Sequence, residues 1–378
     1  MFMTTEDHDL IRNMVREFAE EEVAPIAGEI DKKHEFPWAT VKRMGELGLF
    51  GLTTPEEYEG TGGDSISFSI AIEELARVCG SHGCILSTHV ALCVAPIMKF
   101  GTEEQKKQYV PDLASGRKLG AFTLTESGAG TDASAQQTVA VLQGDKYILN
   151  GSKIFITNGS VADTFIVFAM TDKSKGLKGI SAFIVDKAFP GFKVGQLEDK
   201  MGICASATAE IIYDNCEVPK ENLLGKEGEG FKIAMQALDG GRIGIGSQAL
   251  GLAQGSLDLA VDYAKNRIQF GKPIAANQGL QWMMADMALQ TDAARLLVYR
   301  AAAVKDTGAR YSREAAMAKL FASETAMMVT TKAVQIHGGI GYTKSHAVER
   351  LMRDAKITEI YEGTSEVQRM VISANLLA

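Results

Sequence analysis

The stretch KYILNGSKIFITNG, residues 146–159, decides how the whole chain is read. It carries two Asn-Gly pairs, Asn150-Gly151 and Asn158-Gly159, and each predicts a turn between extended runs. Working outward, TFIVFAM (164–170), GISAFIVD (179–186) and TAEIIYDN (208–215) are short, rich in β-branched and aromatic residues, and bounded by turn formers. Residues 119–225 are therefore expected to form an all-β unit, a compact barrel or sandwich of antiparallel strands. On both sides the period becomes helical. In residues 1–118, Leu10, Ile11, Met14, Val15 and Phe18 share one helix face behind a Thr/Asp-rich start, and SFSIAIEELARVC and TEEQKKQYVPDL predict later helices. In residues 226–378, GFKIAMQALDGGR, SQALGLAQGSLDLAVDYAKNR, NQGLQWMMADMALQTDAARLLVYRAAAVK and SREAAMAKLFASETAMMVTTKAVQIHG read as helices joined by short links. That pattern is a four-helix-bundle-like α domain. The expected class is α+β, with three domains, α then β then α. Several C-terminal helices are apolar around much of their circumference, which points to self-association.

The 378-residue chain has room for such domains, and its hydrophobic fraction of 46% is ordinary for a globular protein. A net charge of -8, with no basic arm to offset it, excludes bulk electrostatic binding of nucleic acid. The start, MFMTTEDHDLI, lacks the basic-then-apolar pattern of a secretory signal, and no apolar run is expected to span a bilayer. A cytoplasmic location follows. Cys79, Cys84, Cys93, Cys204 and Cys216 form no C-x-x-C pair and have no histidine at ligand spacing, so they are expected reduced and buried, with no metal site.

Candidate chemistry concentrates in IYEGTSEVQR, residues 360–369. A helical pattern precedes it, and Ser365 with Gln368 has the form of a capping box that opens the last helix. Glu362-Gly363 is then a short elbow, where a carboxylate is either solvated or aimed into a cavity. Glycine clusters invite a dinucleotide reading. Gly244-Ile245-Gly246-Ser247-Gln248-Ala249 has the fingerprint spacing but follows a helix rather than a strand, and Gly225 to Gly230 lacks the P-loop pattern. His337-Gly338-Gly339 suits a helix stop, though the close approach it permits would also suit a pyrophosphate. FTLTESGAGTD, residues 122–132, packs hydroxyls, a carboxylate and two glycines at the entry to the β segment, as a polar connector or a ligand loop.

In order, FTLTESGAGTDA, KIFITNG, KMGICASATAEI, LDGGR, NRIQFGKPI, QIHGGIGY and RDAKITEIYEGTSEVQR resemble the acyl-CoA dehydrogenase family from end to end. Within it the chain is most similar to the bacterial short-chain, butyryl-CoA dehydrogenase group. The resemblance implies an FAD enzyme in which a carboxylate takes the α-proton of an acyl-CoA thioester while a hydride leaves the β-carbon for flavin N5. Glu362 matches the catalytic base, and its backbone N–H would help polarise the thioester carbonyl. A subgroup carries its base just before the arginine of LDGGR, where this chain has Gly241.

By the same resemblance Phe122, Leu124, Thr125 and Thr131 line the isoalloxazine, with Phe155 and Thr157 on its other side. Arg267, Phe270, Gln278, Gln335 and Gly339 match positions that hold the adenine and pyrophosphate from a neighbouring subunit, and Thr364 and Glu366 match further FAD contacts. Asp239 and Arg242, Tyr361 and Gly363, and Ser127 or Thr131 match substrate positions. Cys204 and His346-Ala347 depart from the commoner family residues. The implied partners are acyl-CoA, an electron-transferring flavoprotein and further copies of the chain in a homotetramer. Reverse operation as an enoyl-CoA reductase and a silent CoA- or flavin-binding scaffold are the competing expectations; an acyl-CoA oxidase would usually be longer.

Overall fold

A computed structural model of the protein describes residues 4–377. The first helix, α1 (Glu6–Phe18), opens on a reciprocal cap: the Thr5 hydroxyl accepts from the His8 N–H, and the His8 ring accepts from the Thr5 N–H. Such a cap is worth about 1 kcal/mol. The helices α2 (Ala24–Lys33), α3 (Trp38–Glu46), α4 (Ser65–Val78), α5 (Gly80–Ser87), α6 (Ala95–Phe100) and α7 (Glu103–Ala114) complete the first block. Buried Glu73 and Glu74 on α4 are neutralised by Arg12 and Arg16 of α1 and by Arg295 from the C-terminal block. One expectation fails here. Wider π-helical turns at Thr88–Val94 join α5 to α6, so Gly80–Phe100 is one apolar rod, long enough by length and composition to cross a membrane. Its side chains are instead 78% buried inside the protein over the most apolar window, because this rod packs against the sheet on one side and a long C-terminal helix on the other.

The middle block is one eight-stranded sheet. Its strands are β1 (Gly120–Thr123), β2 (Val139–Gln143), β3 (Lys146–Thr157), β4 (Thr164–Met170), β5 (Ile180–Asp186), β6 (Phe192–Leu197), β7 (Thr208–Pro219) and β8 (Leu223–Leu224). The order is β6-β7-β3-β2-β4-β5-β8, with β1 also on β4. Two features differ from a purely antiparallel barrel. Part of the pairing is parallel: β1 runs parallel to β4, pairing Gly120 with Thr164 and Thr123 with Val167, and β2 meets β4 in parallel at Val139 and Met170. The sheet also stays open, since β6 and β8 lie at opposite ends of the order. The two Asn-Gly pairs behave differently as well. Asn158 turns, at φ 61°, where β3 ends. β3 runs straight through Asn150-Gly151, and the register against β7 slips there. Gly151 is needed because a Cβ would lie 2.4 Å from the Thr138 hydroxyl, so the pair is a bulge rather than a turn. The β2–β3 turn falls instead at Gly144, φ 66°.

The last block holds α8 (Gly230–Asn266), the hairpin β9 (Ile268–Gln269) and β10 (Lys272–Pro273), then α9 (Gln278–Asp306), α10 (Ser312–His337), α11 (Ala347–Thr358) and α12 (Ser365–Leu377). The link expected between GFKIAMQALDGGR and SQALGLAQGSLDLAVDYAKNR, at residues 243–246, is absent: α8 is one 37-residue helix, about 55 Å long. Its glycines serve packing. A Cβ at Gly251 would lie 2.3 Å from the Glu73 carbonyl, and one at Gly255 would lie 1.9 Å from the Arg77 carbonyl, so α4 lies almost against the α8 backbone. Ile70 of α4 accordingly joins the apolar core of α8, α9 and α10.

Candidate active site

Between α11 and α12 the chain turns through residues 359–364. Glu362 has φ 53° and Gly363 φ 94°, so two successive residues are left-handed. Glycine does this freely, whereas a side chain there costs on the order of 1–3 kcal/mol. The conformation is held from three sides. Lys319 Nζ donates to the Gly363 carbonyl at 2.8 Å, Gln368 Nε2 donates to the Gly363 carbonyl at 2.8 Å and the Glu362 carbonyl at 3.3 Å, and Arg242 Nε reaches the Glu362 carbonyl at 3.5 Å. The capping box expected from Ser365 and Gln368 does not form. The Thr364 hydroxyl caps the Val367 N–H at 3.3 Å, the Ser365 hydroxyl is buried without a partner, and Gln368 is occupied with the elbow. The N–H groups of Ile360, Tyr361 and Ser365 donate to Ile357 and Glu359, while that of Glu362 has no acceptor among the described residues.

The Glu362 side chain fills a space that glycine leaves open. A Cβ at Gly241 of α8 would lie 2.0 Å from Glu362 Oε2 and 2.9 Å from Leu92 Cδ2. The residue as a whole is half-buried, but Oε2 is sealed from solvent and lacks a hydrogen-bond partner. Burial pushes this carboxyl up to about 7, against the opposing pull of Lys319 and Arg242. Arg242 is itself bound to Asp239 at 2.7 Å, and the Ser312 hydroxyl donates to Asp239. The Tyr361 hydroxyl is hydrogen-bonded to Gln248, whose amide holds the Gly80 carbonyl at 2.9 Å. Next to this cluster a cavity of about 230 Å³ runs between the α5–α6 rod and α8, lined by Ala91, Pro96, Lys99, Gln236, Lys305 and Tyr311. A larger hollow of about 600 Å³ lies elsewhere, among α1, α4, α8 and α9. Its arginines are already paired with Glu73, Glu74 and Asp258, so it offers no free chemistry.

Phe122 and Leu124, in β1 and just after it, are buried in one apolar cluster with Leu92 and Ala237, which connects this loop to the elbow. The loop is pinned to β3: the Ile154 N–H donates to the Thr125 carbonyl at 2.9 Å, and fully buried Lys153 binds the Leu124 carbonyl, Glu126 at 2.8 Å and Gln136 at 3.0 Å. Phe155, two residues on, is left-handed at φ 58° and 60% exposed, beside half-buried Thr125 and Thr157. A flat apolar group with a polar edge fits such a place, because it would cover the Phe155 ring and meet the threonine hydroxyls. Ser127 and Thr131 are exposed on the same loop. Arg267, Phe270, Gln278, Gln335 and Gly339 are also exposed, the first three around the β9–β10 hairpin, where Phe270 is left-handed and 100% exposed. Thr364 is half-buried at the elbow and Glu366 is exposed on α12. Lys153, Lys319 and Gln368 were not among the sequence candidates. The signal for Lys319 was a lone charge among Ala315, Ala316, Ala318 and Ala322, where a helix face is otherwise apolar.

Models of the acyl-CoA dehydrogenase N-terminal, middle and C-terminal domains match residues 5–117, 121–216 and 228–377. The short-chain specific acyl-CoA dehydrogenase of Clostridium acetobutylicum is 59% identical, over 99% of this chain and 99% of that protein. The structure of butyryl-CoA dehydrogenase from Megasphaera elsdenii superposes with a TM-score of 0.99 at 50% identity, covering 100% of both chains. A chain of a structure described as the electron-transferring flavoprotein of Acidaminococcus fermentans superposes with a TM-score of 0.99 at 60% identity, over 100% of this chain and 99% of that one. The helix–sheet–helix order, the carboxylate at its elbow and these matches agree: the chain belongs to the acyl-CoA dehydrogenase family.

Proposed function

We propose that this protein is an FAD-dependent short-chain acyl-CoA dehydrogenase in which Glu362 takes the α-proton. The observation that carries the reading is the Glu362 carboxylate itself, its Oε2 sealed without a partner beside Gly241 and its pKa raised to about 7 by burial. A carbon acid next to a thioester is weak, so its base must be close, dry and poised near the working pH. Bound FAD supplies the acceptor for the two electrons that leave the β-carbon. The unpaired Glu362 N–H is available to the thioester oxygen as negative charge gathers there, and the Arg242–Asp239 pair fixes the α8 side of the site. Phe122, Leu124, Thr125, Phe155 and Thr157 would hold the flavin ring, with Thr131, Thr364 and Glu366 as further contacts. The cavity along α8 suits the pantetheine arm, and Lys99 and Lys305 at its lining suit the anionic end of CoA. Tyr361, Gly363 and Ser127 are assigned to the substrate on the family pattern alone.

The 59% identity to a short-chain specific relative supports a four-carbon acyl group, and the likeness to the Acidaminococcus chain supports an electron-transferring flavoprotein as redox partner. Self-association is supported by an exposed apolar stripe on α9: Trp282, Leu289 and Leu296 recur at seven-residue steps and are 63%, 65% and 58% exposed. A neighbouring copy would bring Arg267, Phe270, Gln278, Gln335 and Gly339 to the cofactor. The three-domain division, a tetramer and a cytoplasmic site of action complete the reading. Its test is anaerobic titration with butyryl-CoA. Flavin absorbance should bleach rapidly in the wild type, whereas Glu362→Gln should keep FAD and bind the substrate but lose about two or more decades in rate. Near wild-type bleaching by that variant would overturn the assignment.

A further inference from the structure

Lys319 lies in the middle of α10 with no solvent exposure, on a face of small apolar side chains. A buried ammonium is costly unless its charge and its protons are used. One proton goes to the Gly363 carbonyl, the peptide oxygen immediately after Glu362, at 2.8 Å. That bond crosses from α10 to the elbow and fixes the carbonyl on which two left-handed residues pivot. The charged groups around it belong to three other elements: Arg242 on α8, Glu359 and Glu362 in the elbow, and Glu366 at the start of α12. Of these, Glu366 is exposed and screened by water, Glu359 is paired with Lys356 at 2.7 Å, and Arg242 is matched by Asp239, so the Glu362 carboxylate is the counter-charge left to it.

Resting on the reading of Glu362 as the base, we propose that Lys319 is a positioning residue of the elbow, which holds the Gly363 carbonyl and places a positive charge behind the Glu362 carboxylate. The ammonium meets the reaction only through this elbow. Its own proton affinity follows the same logic: burial brings Lys319 down to about 8, with Glu362 the chief influence holding it up. Deprotonating Glu362 creates a second charge in a dry site, and the Lys319 ammonium is what makes that affordable at neutral pH.

Three substitutions separate the two roles. Lys319→Gln keeps a donor for the carbonyl and drops the charge, Lys319→Met drops both, and Lys319→Arg keeps both. The readout is the protonation midpoint of Glu362 in substrate-free holoenzyme, followed as the infrared carboxyl band that Glu362→Gln abolishes. The acid limb of kcat/KM for butyryl-CoA is measured alongside. In the glutamine and methionine variants both midpoints should rise by about one unit, so activity falls about tenfold on the acid side and recovers at alkaline pH. The methionine variant should also have a lower plateau, and the arginine variant should stay near wild type. If the methionine variant does not fold, the glutamine variant decides. A folded, yellow Lys319→Gln protein whose Glu362 midpoint matches wild type overturns the proposal. Because the infrared midpoint needs no turnover, it distinguishes this failure from failure of Glu362 as base, which Glu362→Gln activity reports separately.

Discussion

Gly241→Ala should damage the reaction without damaging the protein. The new methyl would sit 2.0 Å from Glu362 Oε2 and 2.8 Å from its Cδ, with Leu92 Cδ2 at 2.9 Å. Restoring ordinary contact requires the carboxylate to retreat by ~1.4 Å. All three atoms are ends of side chains, so no backbone has to move and the overpacking cost falls at the low end of about 1–3 kcal/mol. Alanine returns up to about 1 kcal/mol through its better helix propensity, so stability changes little. Catalysis has no such offset. A displacement of about 1 Å at a reacting group is worth roughly a hundredfold in rate, or about 2.7 kcal/mol in the barrier. We expect normal folding and FAD content, a melting temperature close to wild type, and flavin reduction by butyryl-CoA slowed about a hundredfold. Gly246→Ala, on the same helix but with Val298 Cγ2 at 3.2 Å as its nearest neighbour, isolates any helix-wide effect and should react near the wild-type rate. Reduction by Gly241→Ala within a few-fold of wild type would refute the claim that this glycine reserves the space for the base.

Two further outcomes concern stability. Folding raises the Glu362 carboxyl from 4.5 to about 7, so the folded chain holds this proton more tightly than the unfolded one; the associated stability is full below about pH 4.5 and is lost as the pH rises through 7. Glu362→Gln removes that loss and should gain on wild type by about 3 kcal/mol between pH 4 and pH 8 in denaturant titrations, whereas an equal difference at both pH values would contradict a buried, ionising carboxylate. Lys153→Met removes one member of a buried pair, leaving Glu126 and the Leu124 carbonyl without their ammonium. It should cost about 3–5 kcal/mol and loosen FAD retention, and an unchanged melting temperature would show that the pair does not hold the loop.

The helix–sheet–helix order was legible because it depends on local period, and a change from 3.6 to 2 is visible within a dozen residues. Features set by a distant neighbour were hidden. Asn150-Gly151 reads as a turn, and only the approach of Thr138 makes it a bulge. Residues 243–246 read as a link between two helices, and only the close approach of Ser87 to Gly244 shows that α8 runs straight through with glycine there for packing. The open edge and the parallel β1–β4 pairing are properties of how the strands assemble, which no single strand records. At the site, the Glu362-Gly363 elbow could be read from its flanks, but not Lys319 and Gln368, which reach it from two different helices.

That division explains why the elbow takes the form it does. On a regular helix face the N–H of the residue that carries a carboxylate is taken up by the i to i−4 hydrogen-bond pattern. Placing it at a left-handed residue frees both its side chain and its N–H from the helical pattern, so that in the proposed mechanism one residue presents a base and a donor to the same thioester. The backbone cost is offset by donors that act on the carbonyls of 362 and 363 and leave the carboxylate alone. Had Lys319 or Arg242 bonded the carboxylate directly, its pKa would have fallen and the base would have been weakened. The site is built so that the peptide carries the anchoring and the side chain keeps its reactivity.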